Sequence, residues 1–573
     1  MVYPLDKYKQ KIISEIKKVI SLHIDEIKLE IPPENMGDFS FPCFSLAPIL
    51  KKSPKIIADD IATAIKKNKW LTKIESNDGY VNFHIDKNHL TYETLNLIFK
   101  MKDEYGHLQK KNEKIIIEHT SANPNGPLHI GRARNPIIGD TLVRIFKAAG
   151  YNIESQFYLD DMGKQVAILA WGVNNIDPKK IQKTKYDKAD HKKVGFYQEA
   201  NKLMEKDKKI TAEIGEIIKK LEHGENKTID MVHNAYAPVL EGINESLNRI
   251  NIHIDTYIPE SNFVKDKSVE KVTSGLKKTK YCFEENNAYY LDLETFGVHG
   301  RNTKFFFLRS NGTTLYATRD IAYHQWKAKQ ADHLINILGE DHKLESKQVT
   351  IALELLSSKT LPKVVFYSFV SLPEGKMSTR KARVVYIDEL IDECIERAYK
   401  EVKKRRGSEL NEKQMREIAE MVGIGALRYN IIKVQPEKDI VFKWEEALNF
   451  EGNAIPFIQY AHARSCSILS KVKDTKRDFD PPHLNHISEI NLIKQLARFP
   501  LIIEDASSGC KPHIIANYLY ETASIFNQFY RDCPVLKEKD VMTRTSRISL
   551  IDGTRIVLKN ALELLGISAP EEM

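Results

Sequence analysis

Cysteine is scarce in this sequence: Cys43, Cys282, Cys394, Cys466, Cys510 and Cys533 lie far apart, and none forms a Cys-x-x-Cys pair. That argues against a disulfide framework or a zinc site and fits a reducing cytoplasm. No uninterrupted apolar run approaches the length needed to span a bilayer, so no membrane role is expected. Residues 1–18 are polar and charged and do not read as a signal peptide. Internal repeats and low-complexity tracts are also lacking. What is present is a globular composition, 42% hydrophobic and 29% charged, unlike that of a disordered chain. At 573 residues the chain is too long for one core, so three or four domains are expected. A formal net charge of +8 permits a polyanionic partner but does not require one.

Residues 1–108 read as an α+β domain with an amphipathic helix over Leu5–Ile20, a helix near Ile56–Lys66 and an alternating strand over Tyr80–Ile85. A polar, lysine-rich linker, Gln109–Glu113, leads into a mixed α/β region over 109–385. Strand-like runs recur there at Lys114–Ile117, Phe305–Leu308, Leu334–Leu338 and Val364–Tyr367. A charged, mostly helical stretch over 173–250 interrupts them and reads as an insertion packed on the sheet domain, its plainest reading being a solvated helical hairpin with no function of its own. From residue 386 to 573 almost everything is helical, for example Ile387–Arg405, Glu412–Val422 and Thr554–Leu565.

Two loops stand out. The first, Glu118–Arg132, follows a β-branched run and precedes a helical pattern in which Ile137, Ile138, Leu142, Ile145, Phe146 and Ala149 recur until Gly150 stops it. Strand, polar loop and helix together put free backbone N–H groups at the carboxyl end of a strand, where anions bind. His129-Ile130-Gly131 adds an imidazole and a bare glycine at that junction. The second loop, Leu372–Arg383, gathers Lys376, Arg380, Lys381 and Arg383 beside Gly375. Cations so placed can stabilise the charge that builds as pyrophosphate leaves a triphosphate. Taken singly, either loop also reads as an ordinary turn.

The two together resemble the paired signatures of class I aminoacyl-tRNA synthetases. His129-Ile130-Gly131-Arg132 is similar to His-x-Gly-His, and Lys376-Met377-Ser378-Thr379-Arg380 to Lys-Met-Ser-Lys-Ser, in the expected order and 247 residues apart (129 to 376). The flanking segments resemble the arginyl-tRNA synthetase family nearly end to end. Among them are Tyr158–Gln165, Leu315–Asp320, Gly37–Ser40, Gly79–Phe83, Gly425–Tyr429, Tyr460–Arg464 and Phe526–Tyr530. The resemblance implies a multidomain α/β protein: a Rossmann-like catalytic domain, an N-terminal α+β domain that touches tRNA and a C-terminal all-α domain that binds the anticodon.

It also implies an arginine–tRNA ligase that forms arginyl-adenylate from ATP and L-arginine, with Mg²⁺, and passes the arginyl group to tRNA(Arg). The implied setting is the cytoplasm and the implied state a monomer. By resemblance His129, Arg132 and Lys376 are catalytic, and His129, Gly131, Arg132, His342, Lys376, Met377 and Ser378 hold ATP. Glu118, Asn123, Glu260, Tyr316 and Asp320 are the expected arginine site; no metal ligands are expected. A planar guanidinium calls for carboxylates and an aromatic face, and Tyr316 and Asp320 share one face if helical. Arg428, Tyr460, Arg464 and Tyr530 are the expected tRNA contacts, with Tyr429, Phe529 and Arg531 beside them. Arg132 and Thr379 depart from the family pattern at the second His and the second Lys. These departures leave open which cation meets the phosphates and keep alive a tRNA-binding paralogue without ligase activity; a class I synthetase for another amino acid is the other rival, against which Tyr316, Asp320 and Glu260 argue for a cationic substrate.

Overall fold

The computed structural model describes every residue except 1, 21–26, 34–35, 301–302, 372–384, 450 and 473–478. The chain opens with the helix Pro4–Ile20, which buries Tyr8, Ile12 and Ile16 at four-residue spacing. It packs against the helices Pro54–Ala64, Lys87–Met101 and Ile487–Gly509, the first of which lies on a three-stranded antiparallel sheet, β1 (Phe39–Pro42), β2 (Leu71–Asn77) and β3 (Tyr80–Ile85), in the order β1-β3-β2. In β3 the expected alternation buries Val81, Phe83 and Ile85, but Asn82 is buried as well. Its carboxamide accepts from Ser40 Oγ directly across the ladder, at 2.7 Å, so the polar face is covered without an orphaned group.

The next domain is organised on five parallel strands: β4 (Lys114–Glu118), β5 (Asn152–Leu159), β6 (Thr256–Pro259), β10 (His333–Gly339) and β11 (Pro362–Tyr367). Their order is β11-β10-β4-β5-β6. The chain winds outward from β4 in one direction and then restarts from β4 in the other, so the switch point lies between β4 and β10. Three shorter strands, β7 (Cys282–Glu285), β8 (Ala288–Asp292) and β9 (Lys304–Leu308), form a separate antiparallel sheet on the way from β6 to β10. β4 is followed by the helix Arg134–Ala148, with Pro136 in its first turn, where no intrahelical N–H is lost. Gly150 closes that helix at φ +90°; a Cβ there would lie 2.1 Å from the Gln109 carbonyl oxygen, so the linker runs where only glycine leaves room.

The insertion forms three helices, Ala189–Lys206, Lys208–Glu222 and Asn226–Arg249. It is not a free-standing solvated hairpin. Asp388, fully buried at the start of the helix Ile387–Arg406, accepts from Lys188 (2.9 Å), Ser246 (3.0 Å) and Arg249 (3.3 Å) and faces His191 Nε2 at 3.0 Å. Among the described residues the remaining C-terminal part is helical except for a two-residue pairing of β12 (Val370–Ser371) with β13 (Ile440–Val441). Its long helices are Glu412–Ile432, Ile455–Ser470, Ile487–Gly509, His513–Asp532 and Val541–Leu564.

Candidate active site

β4, β5, β6 and β10 all end at one crevice, and each delivers a polar segment to it: Glu118–Ser121, Asp160–Asp161, Glu260 and Glu340–His342. The backbone turns sharply after β4. Thr120 and Ser121 both take positive φ, +70° and +36°, which costs β-branched Thr120 in particular. The turn is held from outside. Asn135 Oδ1 accepts from Thr120 N–H at 2.5 Å, and Asn135 Nδ2 donates to the Ile337 carbonyl on β10 at 2.8 Å. As a result Glu118 is buried at the crevice floor. It accepts from Ser121 Oγ at 3.2 Å and from the fully buried Lys327 ammonium at 2.7 Å.

The first motif follows. His129 is exposed, and its Nδ1 accepts from Gly131 N–H at 3.0 Å, which starts the 3₁₀ turn Ile130–Arg132. Partial burial and the neighbouring Arg132 charge hold the His129 imidazole below its ordinary value. Among the described residues nothing pairs with Nε2, which can meet a ligand. Ala122, Asn123, Asn125, Gly126, His129, Arg132 and Gln165 line a cavity of about 190 Å³ here, and Asn125 Nδ2 is fixed on Gln165 Oε1 at 2.7 Å. Arg132 is exposed and near enough to weigh on both His129 and His342. His342 is itself raised, chiefly by its hydrogen bond to Glu345 (3.0 Å) and then by Asp341.

On the far side, Glu260 is 1% exposed and pairs with Arg319 Nε at 2.9 Å, while Tyr158 OH donates to the same carboxylate oxygen at 3.1 Å. Burial pushes the Glu260 carboxyl up to about 8 against the pull of Arg319. Ion-paired or protonated, it has no net charge to offer a second cation. The Arg319 guanidinium lies over the Tyr316 ring at 5.0 Å. Tyr316 is exposed and forms one wall of a cavity of about 720 Å³, with Lys164, Lys219, Glu222 and Arg309 among the other lining residues. Asp320 lies on the same helix, Tyr316–Lys327, with its side chain 32% exposed and His324 Nδ1 at 3.0 Å. Burial pushes its carboxyl up, but His324, with Lys327 and His342 further off, outweighs that and holds it below the usual range. Among the described residues no lysine or arginine reaches it within ion-pair distance.

Lys376, Met377, Ser378, Thr379, Arg380, Lys381 and Arg383 lie outside the described residues. The chain on either side of them is fixed at the crevice. Val370 and Ser371 pair with β13, and Tyr386 bridges His129, with Ile130 N–H donating to the Val385 carbonyl (3.0 Å) and Ile387 N–H to the Leu128 carbonyl (2.8 Å).

The helical domain brings three of the expected RNA-facing residues together. The Arg464 guanidinium lies 4.6 Å from the Tyr460 ring and 5.0 Å from the Tyr530 ring, and it donates to Asn527 Oδ1 at 2.7 Å. Both tyrosines are exposed. Arg428 requires a correction. It has no exposed surface, and its guanidinium is consumed by Asp140 (2.5 Å) and the carbonyls of Leu565 (2.7 Å) and Ile250 (2.6 Å), so it cannot reach RNA. Tyr429 and Phe529 are core residues in the same way. Sequence reasoning missed Lys327, Arg319, His324 and Asn336, all buried in the crevice wall. The available signal was Asp320-x₃-His324-x₂-Lys327, a polar stripe on a helix face that the fold turns inward.

Residues 94–444 match the profile of the family described as tRNA synthetases class I (R), catalytic domain. Residues 6–85 match the arginyl tRNA synthetase N terminal domain, and 458–573 the DALR anticodon binding domain. The chain is 45% identical to a protein named arginine–tRNA ligase from Methanocella arvoryzae over 530 residues, 92% of each chain. It is 43% identical to one of the same name from Methanothermobacter thermautotrophicus, over 96% of this chain and 95% of that one. Its structure is similar to Thermus thermophilus arginyl-tRNA synthetase, with a TM-score of 0.84 and 26% identity over 99% of this chain and all of the other.

Proposed function

The chain belongs to the arginyl-tRNA synthetase family and is an arginine–tRNA ligase, and we propose that the crevice above β4 and β10 is where arginine and ATP react. ATP, entering as its Mg²⁺ complex, lies against the first motif. His129 Nε2 and the Arg132 guanidinium face its phosphates, and His342 flanks the adenosine side. The arginine carboxylate attacks the α-phosphorus, pyrophosphate leaves and arginyl-adenylate forms. A ribose hydroxyl at the tRNA 3′ end, the 2′-hydroxyl by class I resemblance, then attacks the adenylate carbonyl and releases AMP. Positioning and charge stabilisation do most of this work. Lys376, Met377 and Ser378 are assigned to the leaving pyrophosphate.

Arginine lies across the crevice floor, with its α-amino and carboxylate groups toward Glu118 and Asn123 and its guanidinium toward Asp320 and Tyr316, beside the Glu260–Arg319 pair. The observation that carries this reading is a difference among three carboxylates. Lys327 neutralises Glu118 and Arg319 neutralises Glu260, at 2.7 and 2.9 Å, whereas among the described residues Asp320 has only an imidazole against it. The net negative charge therefore sits where a cationic side chain has to end. Asp320→Asn tests this directly: KM for arginine rises at least about tenfold, the worth of one charged hydrogen bond, with KM for ATP nearly unchanged. An unchanged KM for arginine overturns the orientation.

Residues 1–108 and the helices from 386 onward are assigned to tRNA(Arg), with Tyr460, Arg464 and Tyr530 as the built contact, and 109–385 to the chemistry. Work as a monomer in the cytoplasm is part of the same proposal, in keeping with six unpaired cysteines. No helix among the described residues is long and apolar enough to cross a membrane.

A further inference from the structure

Glu118 and Asp320 are joined by a buried polar relay. Lys327 Nζ donates to Glu118 Oε2 at 2.7 Å and to Asn336 Oδ1 at 3.0 Å; Asn336 Nδ2 lies 2.6 Å from His324 Nε2; His324 Nδ1 lies 3.0 Å from Asp320 Oδ1 and 2.8 Å from its carbonyl oxygen. Asp320, His324 and Lys327 stand at i, i+4 and i+7 on one helix, and Asn336 comes from β10. Lys327 is fully buried and His324 is 2% exposed. Burying an ammonium is costly unless it is well paired, and an apolar residue packs more cheaply at such a position. The stripe therefore calls for a reason other than stability.

The relay has a fixed direction. An ammonium only donates, so Asn336 must turn its carbonyl to Lys327 and its NH₂ to His324. His324 Nε2 must then accept, which leaves the ring proton on Nδ1, pointing at Asp320. Lys327 thereby does two things at once: it cancels the charge of Glu118, and it makes the group facing Asp320 a neutral N–H donor instead of an imidazolium.

We propose that Lys327, Asn336 and His324 are positioning residues for amino-acid specificity, holding the floor of the site neutral at the α-amino end and singly negative at the side-chain end. An amino acid with a zwitterionic head and a cationic tail matches that pattern, and one with a neutral tail does not. The inference rests on the orientation of arginine proposed above.

Asn336→Asp is the test. A carboxylate at 336 accepts from both neighbours, so His324 takes a second proton and Asp320 gains a cationic partner. KM for arginine is expected to rise about tenfold in pyrophosphate exchange run with tRNA present. Preference for arginine over its neutral isostere citrulline falls by a similar factor, and KM for ATP stays within twofold. Lys327→Met should follow Asn336→Asp. In wild type, ¹⁵N shifts of His324, assigned with His324→Gln, should report a bare Nε2, a readout that needs no altered relay. Wild-type KM for arginine in both Asn336→Asp and Lys327→Met, or a protonated Nε2, overturns the relay. If Asp320→Asn still raises KM for arginine, the orientation survives that loss; if it does not, the orientation fails first.

Discussion

Replacing Arg428 by methionine separates a structural arginine from an RNA-binding one. Arg428 sits in the helix Glu412–Ile432 but reaches Asp140 on the helix that follows the first motif, Ile250 at the end of the insertion and Leu565 near the C-terminus. Methionine fills much of the volume but leaves two carbonyls without a donor and Asp140 with Arg144 alone, at 2.8 Å. Breaking a buried charge pair from one side costs about 3–5 kcal/mol, and each buried acceptor left unpaired adds about 1–3. Arg144 recovers part of that, so a net loss of about 4 kcal/mol is expected. The assay is urea denaturation of wild type, Arg428→Met, Asp140→Asn and the double variant. The cycle should give a coupling of at least about 0.5 kcal/mol, as groups in direct contact do. At a temperature where the variant is folded, its Kd for tRNA should lie within twofold of wild type. A loss below about 1 kcal/mol with additive effects, or a fall in tRNA affinity without a fall in stability, refutes the reasoning.

Arg464→Ala removes a cation held between two exposed rings, so tRNA affinity should fall several-fold and the salt dependence of binding should flatten by about one unit. KM for arginine should not move, and filter binding over a salt series measures both effects. Asp388 supplies a pH prediction. Burial raises its carboxyl, but hydrogen bonds from His191 and Lys188, the Lys188 charge and Ser246 outweigh that and hold it well below the carboxylate range. Because the folded value is the depressed one, its stabilisation is fully present above about pH 4 and is lost as pH falls further. Asp388→Asn should therefore destabilise the protein at pH 7 and flatten the acid limb of its stability curve, seen as Tm against pH from 7 to 3.

The strand–loop–helix around the first motif was legible because each part obeys a local rule: a β-branched run, a loop of prolines, glycines and asparagines, and a helical period ended by a glycine. The motif pair identified the family before any geometry was known. Local rules mislead where packing between distant segments decides. The helix read over Glu412–Val422 runs on through Gly423 and Gly425 to Ile432. A Cβ at Gly423 would lie 2.8 Å from the Ile395 backbone, so the glycine lets two helices cross closely and does not end one. Arg428 looks like a surface cation in Gly-Ala-Leu-Arg-Tyr because nothing nearby in sequence tells of Asp140, 288 residues away. The stripe Asp320–His324–Lys327 hides its meaning for the opposite reason. Polar residues at helical spacing read as a solvated face, and only the sheet packed against them makes that face a buried one. The charged insertion misleads similarly, since Lys188, His191, Ser246 and Arg249 are spent on Asp388 and not on solvent.

The most direct test of the central claim is charging of total tRNA with each labelled amino acid in Mg-ATP, comparing wild type with Asp320→Ala. Wild type should charge arginine alone, and Asp320→Ala should lose that charging while still binding tRNA at wild-type affinity. Charging of another amino acid, or arginine charging that survives the loss of Asp320, would contradict the account.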